Sequence, residues 1–173
     1  RVTKTLSNIY LLVSILSTFM SIIPSAECLE SDTTAKGDNK LNEMIENSDG
    51  SPIPVSVYFT GIDYEEAEEN TIKEVKGKVS DEIIDIAFNG GTNTSLTQKE
   101  ANKQMNYVVN TQNSVIADMN QENTIEKYND VFAKSKPEII SCGTYTSYVS
   151  TYLTVSQINE VAKSNSVTKM NYT

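Results

Sequence analysis

Histidine is absent from this chain of 173 residues, and its one arginine is Arg1. Histidine is the usual general base and a leading metal ligand near neutral pH. Arginine is the usual bidentate clamp for phosphate and carboxylate groups. Without them the chain lacks the parts for most hydrolases, phosphoryl-transfer enzymes and zinc sites. Cysteine is almost as scarce, at Cys28 and Cys142. Two cysteines, one of them beside a leader, give no disulfide framework. Cys142 is expected as a lone thiol in a strand, a small buried apolar residue with no histidine to activate it. No calcium-loop spacing, Cys/His ligand set or glycine-rich phosphate loop occurs, so no metal and no cofactor are expected.

Other partial motifs carry no chemistry either. Ser166 and Lys169 have the spacing of a catalytic S-x-x-K pair, which needs one helix face, yet they span a turn and a strand start. Glu65/Glu69 and Asp81/Asp85 lie one helical turn apart, the usual arrangement of a solvated acidic face. Asn93-Thr94-Ser95 and Asn171-Tyr172-Thr173 fit the N-glycosylation pattern, which matters only in a eukaryotic secretory route. No catalytic residue is assigned, and an enzyme is not expected.

Positive charge is also in short supply: 14 Lys and Arg face 23 Asp and Glu, a net charge of −9. Such a surface repels nucleic acid and anionic membranes and favours solubility or a basic partner, and a protein partner is the expectation.

Residues 1–28 read as a secretory signal. Arg1 and Lys4 supply the positive start, and Ile9 to Ile23 form an uncharged apolar stretch broken by Pro24. A bilayer span wants roughly 20 apolar residues, more than this stretch offers. Cleavage is expected after Ala26 or Cys28, although an uncleaved anchor is the alternative; Glu27 argues against a lipid anchor on Cys28. Losing Arg1, Lys4 and Glu27 would leave a net charge of −10. The protein is therefore expected outside the cell or on its surface, free of the membrane, with about 145 residues for one domain.

Residues 29–51 are polar and read as a flexible spacer with at most a weak helical turn around Leu41 to Ile45, ahead of a single domain at 52–173. Val55, Val57 and Phe59 alternate with polar neighbours in a half-buried strand. Asp63 caps a helix rich in early glutamates and stopped by Gly77, with Ala67, Ile72 and Val75 facing inward. Residues 78–96 fit a short strand or a short helix, and Asn89 to Thr92 a turn. From Thr97 to about Lys134 no glycine or proline interrupts a long helical insertion. Its stripe runs through Ala101, Met105, Val108, Val115 and Met119, then shifts phase to Ile125, Tyr128, Val131 and Phe132. Strands are expected at Glu138–Cys142, Tyr145–Leu153 and Val167–Tyr172. Between the last two, Thr154 and Gln157 have capping-box spacing for a helix burying Val155, Ile158, Val161 and Ala162.

Strand, helix, strand, strand, helix, strand is the order of a ferredoxin-like split β-α-β domain: α+β, with one antiparallel sheet, two helices on one face, and here a helical insertion at 97–134 in the first crossover. Thr154-Val155-Ser156-Gln157-Ile158-Asn159-Glu160-Val161-Ala162 followed by Val167-Thr168-Lys169-Met170 resembles the end of subtilisin-propeptide-like inhibitor domains. Pro54 to Thr60 and the helix after it resemble that family's first strand and helix. The whole layout is similar to exported proteins of Gram-positive gut bacteria. The propeptide resemblance implies a chaperone or inhibitor of subtilisin-type proteases that docks its helix-free sheet face and lays a C-terminal tail in the cleft. Alternation places Ser56, Tyr58, Thr60, Tyr148, Ser150 and Tyr152 on that face, a Tyr/Ser/Thr patch suited to recognition. The tail would be Met170, Asn171, Tyr172 and Thr173, which must peel from the sheet to reach a cleft. With no protease domain after Thr173, a stand-alone module is expected, not a propeptide in cis.

Overall fold

A computed structural model describes residues 36–173, so the expected signal and the start of the expected spacer lie outside the described residues. The described chain holds five helices and four strands. It divides into two compact units, Tyr64–Val115 and a second made of residues 36–63 with Ile116–Thr173. A single domain over 52–173 was expected.

The second unit is built on one antiparallel sheet. Its strands are β1 (Ile53–Phe59), β2 (Ser141–Cys142), β3 (Tyr148–Leu153) and β4 (Val167–Tyr172), in the spatial order β2-β3-β1-β4. Side chains of central β1 alternate in direction, and its Ile53, Val55, Val57 and Phe59 are all buried on one face. Their cross-strand neighbours Val149, Leu153 and Met170 join them in the core. Ladder pairing slips between Tyr58 and Phe59, where a bulge lets Val167 reach the same core as Met170 although the two are three residues apart.

Three helices supply the other side of this core. From α1 (Asn39–Glu46) come Leu41, Met44 and Ile45; from the last part of α4 (Gln98–Val131) and the turn beyond it come Tyr128, Val131 and Phe132; from α5 (Val155–Val161) come Ile158, Val161 and, just after it, Ala162. The helix after β1 belongs to the first unit and is not among the three helices that contribute to this cluster. Val155 is half-buried. The capping box forms as its spacing demands: the Thr154 hydroxyl accepts from the Gln157 N–H, and the Gln157 side-chain oxygen accepts from the Thr154 N–H at 2.8 Å.

The segment 36–51, expected as a spacer, is instead part of the fold. Asp38 caps α1 by accepting from the Leu41 N–H at 2.6 Å, and its other oxygen accepts from the Tyr172 N–H at 3.2 Å. The Met170 N–H bonds the Lys36 carbonyl, and the Asp38 N–H bonds the Met170 carbonyl, so residues 36–38 run parallel along the edge of β4. Polar composition hid one apolar face, and Leu41 is fully buried.

The C-terminal part of α4 differs from the expected stripe. Asn120, Thr124 and Tyr128 are buried at steps of four, whereas Ile125 is exposed. Asn120 is tolerated there because its amide donates to the Ile116 carbonyl and its oxygen accepts from the Ser147 hydroxyl. Thr124 is not satisfied: its buried hydroxyl has no partner among the described residues. Thr124→Val removes that penalty at nearly constant volume and is expected to stabilise the protein by about 1 kcal/mol, measured by chemical denaturation. Past Val131 the chain turns through Ser135, Lys136 adopts φ 37, and Pro137 ends the helical path as expected. Tyr128 donates to the Pro137 carbonyl, and burial raises the pKa of its hydroxyl.

β2 and β3 are shorter than their apolar runs suggest. Ile139 and Ile140 are exposed, and the connection 143–147 takes Tyr145 out of β3. Gly143 makes that connection possible, since a Cβ there would lie 2.1 Å from the Thr146 carbonyl oxygen. Cys142, expected to be buried, is exposed because β2 is a two-residue edge strand.

The first unit contains α2 (Tyr64–Val75), α3 (Asp81–Phe88) and the start of α4. Val75, Val79, Ile83, Ile86, Ala101, Met105 and Val108 form its core. Residues 81–88, ambiguous from sequence, are helical; Ser80 leads into α3, its N–H donating to the Gln104 side-chain oxygen at 2.7 Å. In α2 the buried stripe is Ala67, Thr71 and Val75, with Ile72 only half-buried. Thr71 can take the inner position because its hydroxyl donates to the Ala67 carbonyl at 2.7 Å.

Glu82 staples the loop after α3. Its carboxylate accepts from the Thr94 hydroxyl at 2.7 Å, the Ser95 N–H at 2.6 Å and the Ser95 hydroxyl at 2.8 Å. These bonds, the Thr94 hydroxyl first, lower its pKa below the ordinary glutamate value. A depressed carboxylate pKa contributes stability that is present above the unfolded value and lost as pH falls through the folded one. Amide exchange of residues 92–96 should therefore accelerate relative to the rest of the unit as pH falls below the ordinary glutamate range. Glu82→Gln should show that faster exchange already at neutral pH.

Candidate functional site

The face of the sheet opposite the helices follows from strand alternation. Ser56 stands opposite Ser150 and Asn171, Tyr58 opposite Tyr148 and Lys169, and Pro54 opposite Tyr152. Within this unit, the helical residues of the core cluster all lie on the other face, against Val55, Val57 and Val149.

Two rows cross the strands here. In the first, the Tyr58 and Tyr148 rings stack with centroids 5.2 Å apart and planes at 30°, and the Lys169 ammonium sits 4.3 Å from the Tyr58 centroid. Tyr58 is thus held between a second aromatic ring and a cation, each contact contributing on the order of 0.5–1 kcal/mol. In the second row the Ser56 and Ser150 hydroxyls are 2.7 Å apart, and Ser56 is 2.9 Å from the Thr173 hydroxyl. Both serines are buried under their neighbours, while Tyr152 stands 57% exposed at the side of the rows. Lys169 is the one charged side chain that the register places on this face. An acidic protein thus presents a plane with no side-chain carboxylate.

Five of the six expected surface residues, Ser56, Tyr58, Tyr148, Ser150 and Tyr152, come together on this plane. Thr60 does not join the strand; it follows β1, its N–H donating to the Ser166 carbonyl and its carbonyl accepting from the Asn123 amide at 2.8 Å. The same amide donates to the Ser147 hydroxyl at 2.8 Å, tying the end of β1 and the start of β3 to α4. Lys169 and Asn171 were not assigned to the face. The bulge breaks the period of two between Val167 and Met170, so alternation alone could not place Lys169.

The expected tail is laid into the sheet. Met170 is a core residue, Tyr172 packs against the core, and the Thr173 N–H donates to the Pro54 carbonyl at 3.2 Å. Asn171 pairs with Ser56. Freeing Met170 to Thr173 would therefore require breaking ladder bonds and exposing Met170.

Among the described residues no group of three or more Cys, Asp or Glu is placed to hold a metal ion. No helix among them is long and apolar enough to cross a membrane. A shallow cavity of about 240 Å³ lies between the end of α4 and α5, lined by Asp130, Lys134, Gln157 and Glu160 among others. Its polar residues sit at the surface and bring no nucleophile beside a base. Comparison with models of known protein families, with curated proteins and with solved structures finds no match.

Proposed function

We propose that this protein is a secreted or cell-surface, non-catalytic binding module that docks a protein partner through the face of its sheet opposite α1 and α5. The observation that carries the reading is the ordered Tyr148–Tyr58–Lys169 row above hydrogen-bonded serines, beside an exposed Tyr152. Tyrosines already fixed by stacking lose little rotamer freedom on binding and present apolar area with polar tips. The absence of carboxylates among the residues that the register places on that plane removes the repulsion that the rest of the surface would impose on an acidic partner. Lack of histidine and of usable arginine argues against catalysis.

The test is retention of a partner from the native extracellular milieu on immobilised wild-type chain and on Tyr152→Glu. Tyr152 is exposed, so the substitution should leave the fold intact. We expect the retained protein to bind Tyr152→Glu about 2 kcal/mol more weakly, roughly 30-fold, as for a central aromatic contact. Equal retention by both would refute docking through this face.

A second reading, a stand-alone inhibitor or chaperone of subtilisin-type proteases, has its own support. The strand order β2-β3-β1-β4 with all-antiparallel pairing is consistent with a ferredoxin-like sheet, and the Thr154/Gln157 capping box forms where that resemblance puts it. The residues Met170 to Thr173, fastened into the sheet, weigh against tail-in-cleft inhibition. Titration of a subtilisin-type protease separates the two: stoichiometric inhibition favours this second reading, and slow digestion of the chain favours the first.

A further inference from the structure

The two edges of the sheet are treated differently. Residues 36–38 pair along β4 and cover that edge. At the other edge, β2 is bonded on one side to β3 and has no strand beyond it among the described residues. Proteins usually guard such an edge with lysine, proline, a charge pointing inward or a very short strand. Here the strand is only two residues long, but Ile140, Ser141 and Cys142 carry no charge and no proline, and residues 139–159 contain no charged side chain at all. Exposed apolar side chains gather around the same edge: Ile139 at 39%, Ile140 at 55% and Tyr145 at 58%.

We propose that the β2 edge is a self-association surface on which a second copy of this chain adds its own β2, antiparallel, across a two-fold axis. Charge selects that occupant. Two copies of a chain with net charge −9 repel through most of their surfaces, and a two-fold contact sets each patch against itself or its neighbours. Only a charge-free strip can meet itself without cost, and this strip is charge-free, apolar and edged with unpaired backbone. Pairing continues the sheet from one copy into the other and covers Ile140 and Tyr145 on both. The docking face described above lies on the plane of the sheet, not its edge, so each copy keeps its own.

Sedimentation velocity on the full chain over a concentration series tests the proposal. The wild type is expected to pass from monomer to dimer. Ile140→Lys places two like charges close to the axis and should raise the dimer dissociation constant by about tenfold or more without changing the fold. A wild type that stays monomeric throughout, even one that takes up an added foreign strand, overturns the proposal, as does a dimer that Ile140→Lys leaves unchanged. A second measurement does not depend on that variant. In a Cys28→Ser background, dioxygen with copper-phenanthroline takes two electrons from two Cys142 thiols, which release two protons and form the disulfide. Cross-linking should be faster there than in a chain that also carries Cys142→Ser and Ser114→Cys, whose exposed thiol lies on α4. No difference in rate overturns the proposal.

Discussion

Leu41→Ala is expected to destabilise the protein by about 2–5 kcal/mol, read from the shift in a urea or thermal unfolding curve. Leu41 is fully buried against β1 and β4, and alanine would leave a cavity that helix α1 cannot close alone. A side chain in a polar spacer would change stability by no more than about 0.5 kcal/mol. The same experiment probes the β4 edge. Asp38 holds α1 and β4 together through opposite oxygens, so Leu41 and Asp38 should act on one cooperative unit. A near-neutral Leu41→Ala would mean that residues 36–46 are not part of the folded core.

Phe132→Ala is expected to cost about 3–5 kcal/mol, while Ile125→Ala costs less than about 0.5 kcal/mol, although both positions belong to the stripe suggested by sequence. Phe132 is 1% exposed and packs on Tyr128 with ring centroids 5.0 Å apart; Ile125 is 48% exposed. The contrast tests the rotation of α4 about its own axis over its last turns. If the two substitutions cost the same, the buried face runs through Ile125 and not through Thr124.

What the sequence could tell varied with how closely local pattern tracked burial. Strand β4 and helix α5 were legible because a capping box and a β-branched start mark their ends without help from the rest of the fold. The sheet face was legible through the alternation of β1 and β3. Helix α1 was not, because Leu41, Met44 and Ile45 make only one short apolar turn inside a polar segment. Thr71, Asn120 and Thr124 were passed over for the opposite reason. Hydropathy ranks them as surface residues, yet in Thr71 and Asn120 a side-chain bond to the preceding turn satisfies the polar group and frees it for burial. Lys169 was hidden by the bulge, and the exposure of Cys142 by the brevity of β2. For α1 and Lys169 the missing information was a long-range contact, and for Thr71 and Asn120 a local one.

The proposed docking face gains its character from the same contacts. Three strands far apart in sequence bring Tyr148, Tyr58 and Lys169 into one row, and no single segment contains the motif. Hydroxyl-radical footprinting of the chain, alone and with its captured partner, reads the claim most directly. If the sheet face is where the partner sits, Tyr152, Tyr148 and Tyr58 lose reactivity in the complex while Tyr64 and Tyr107, exposed in the other unit, keep theirs. Protection of Tyr64 or Tyr107 with Tyr152 left reactive would contradict it.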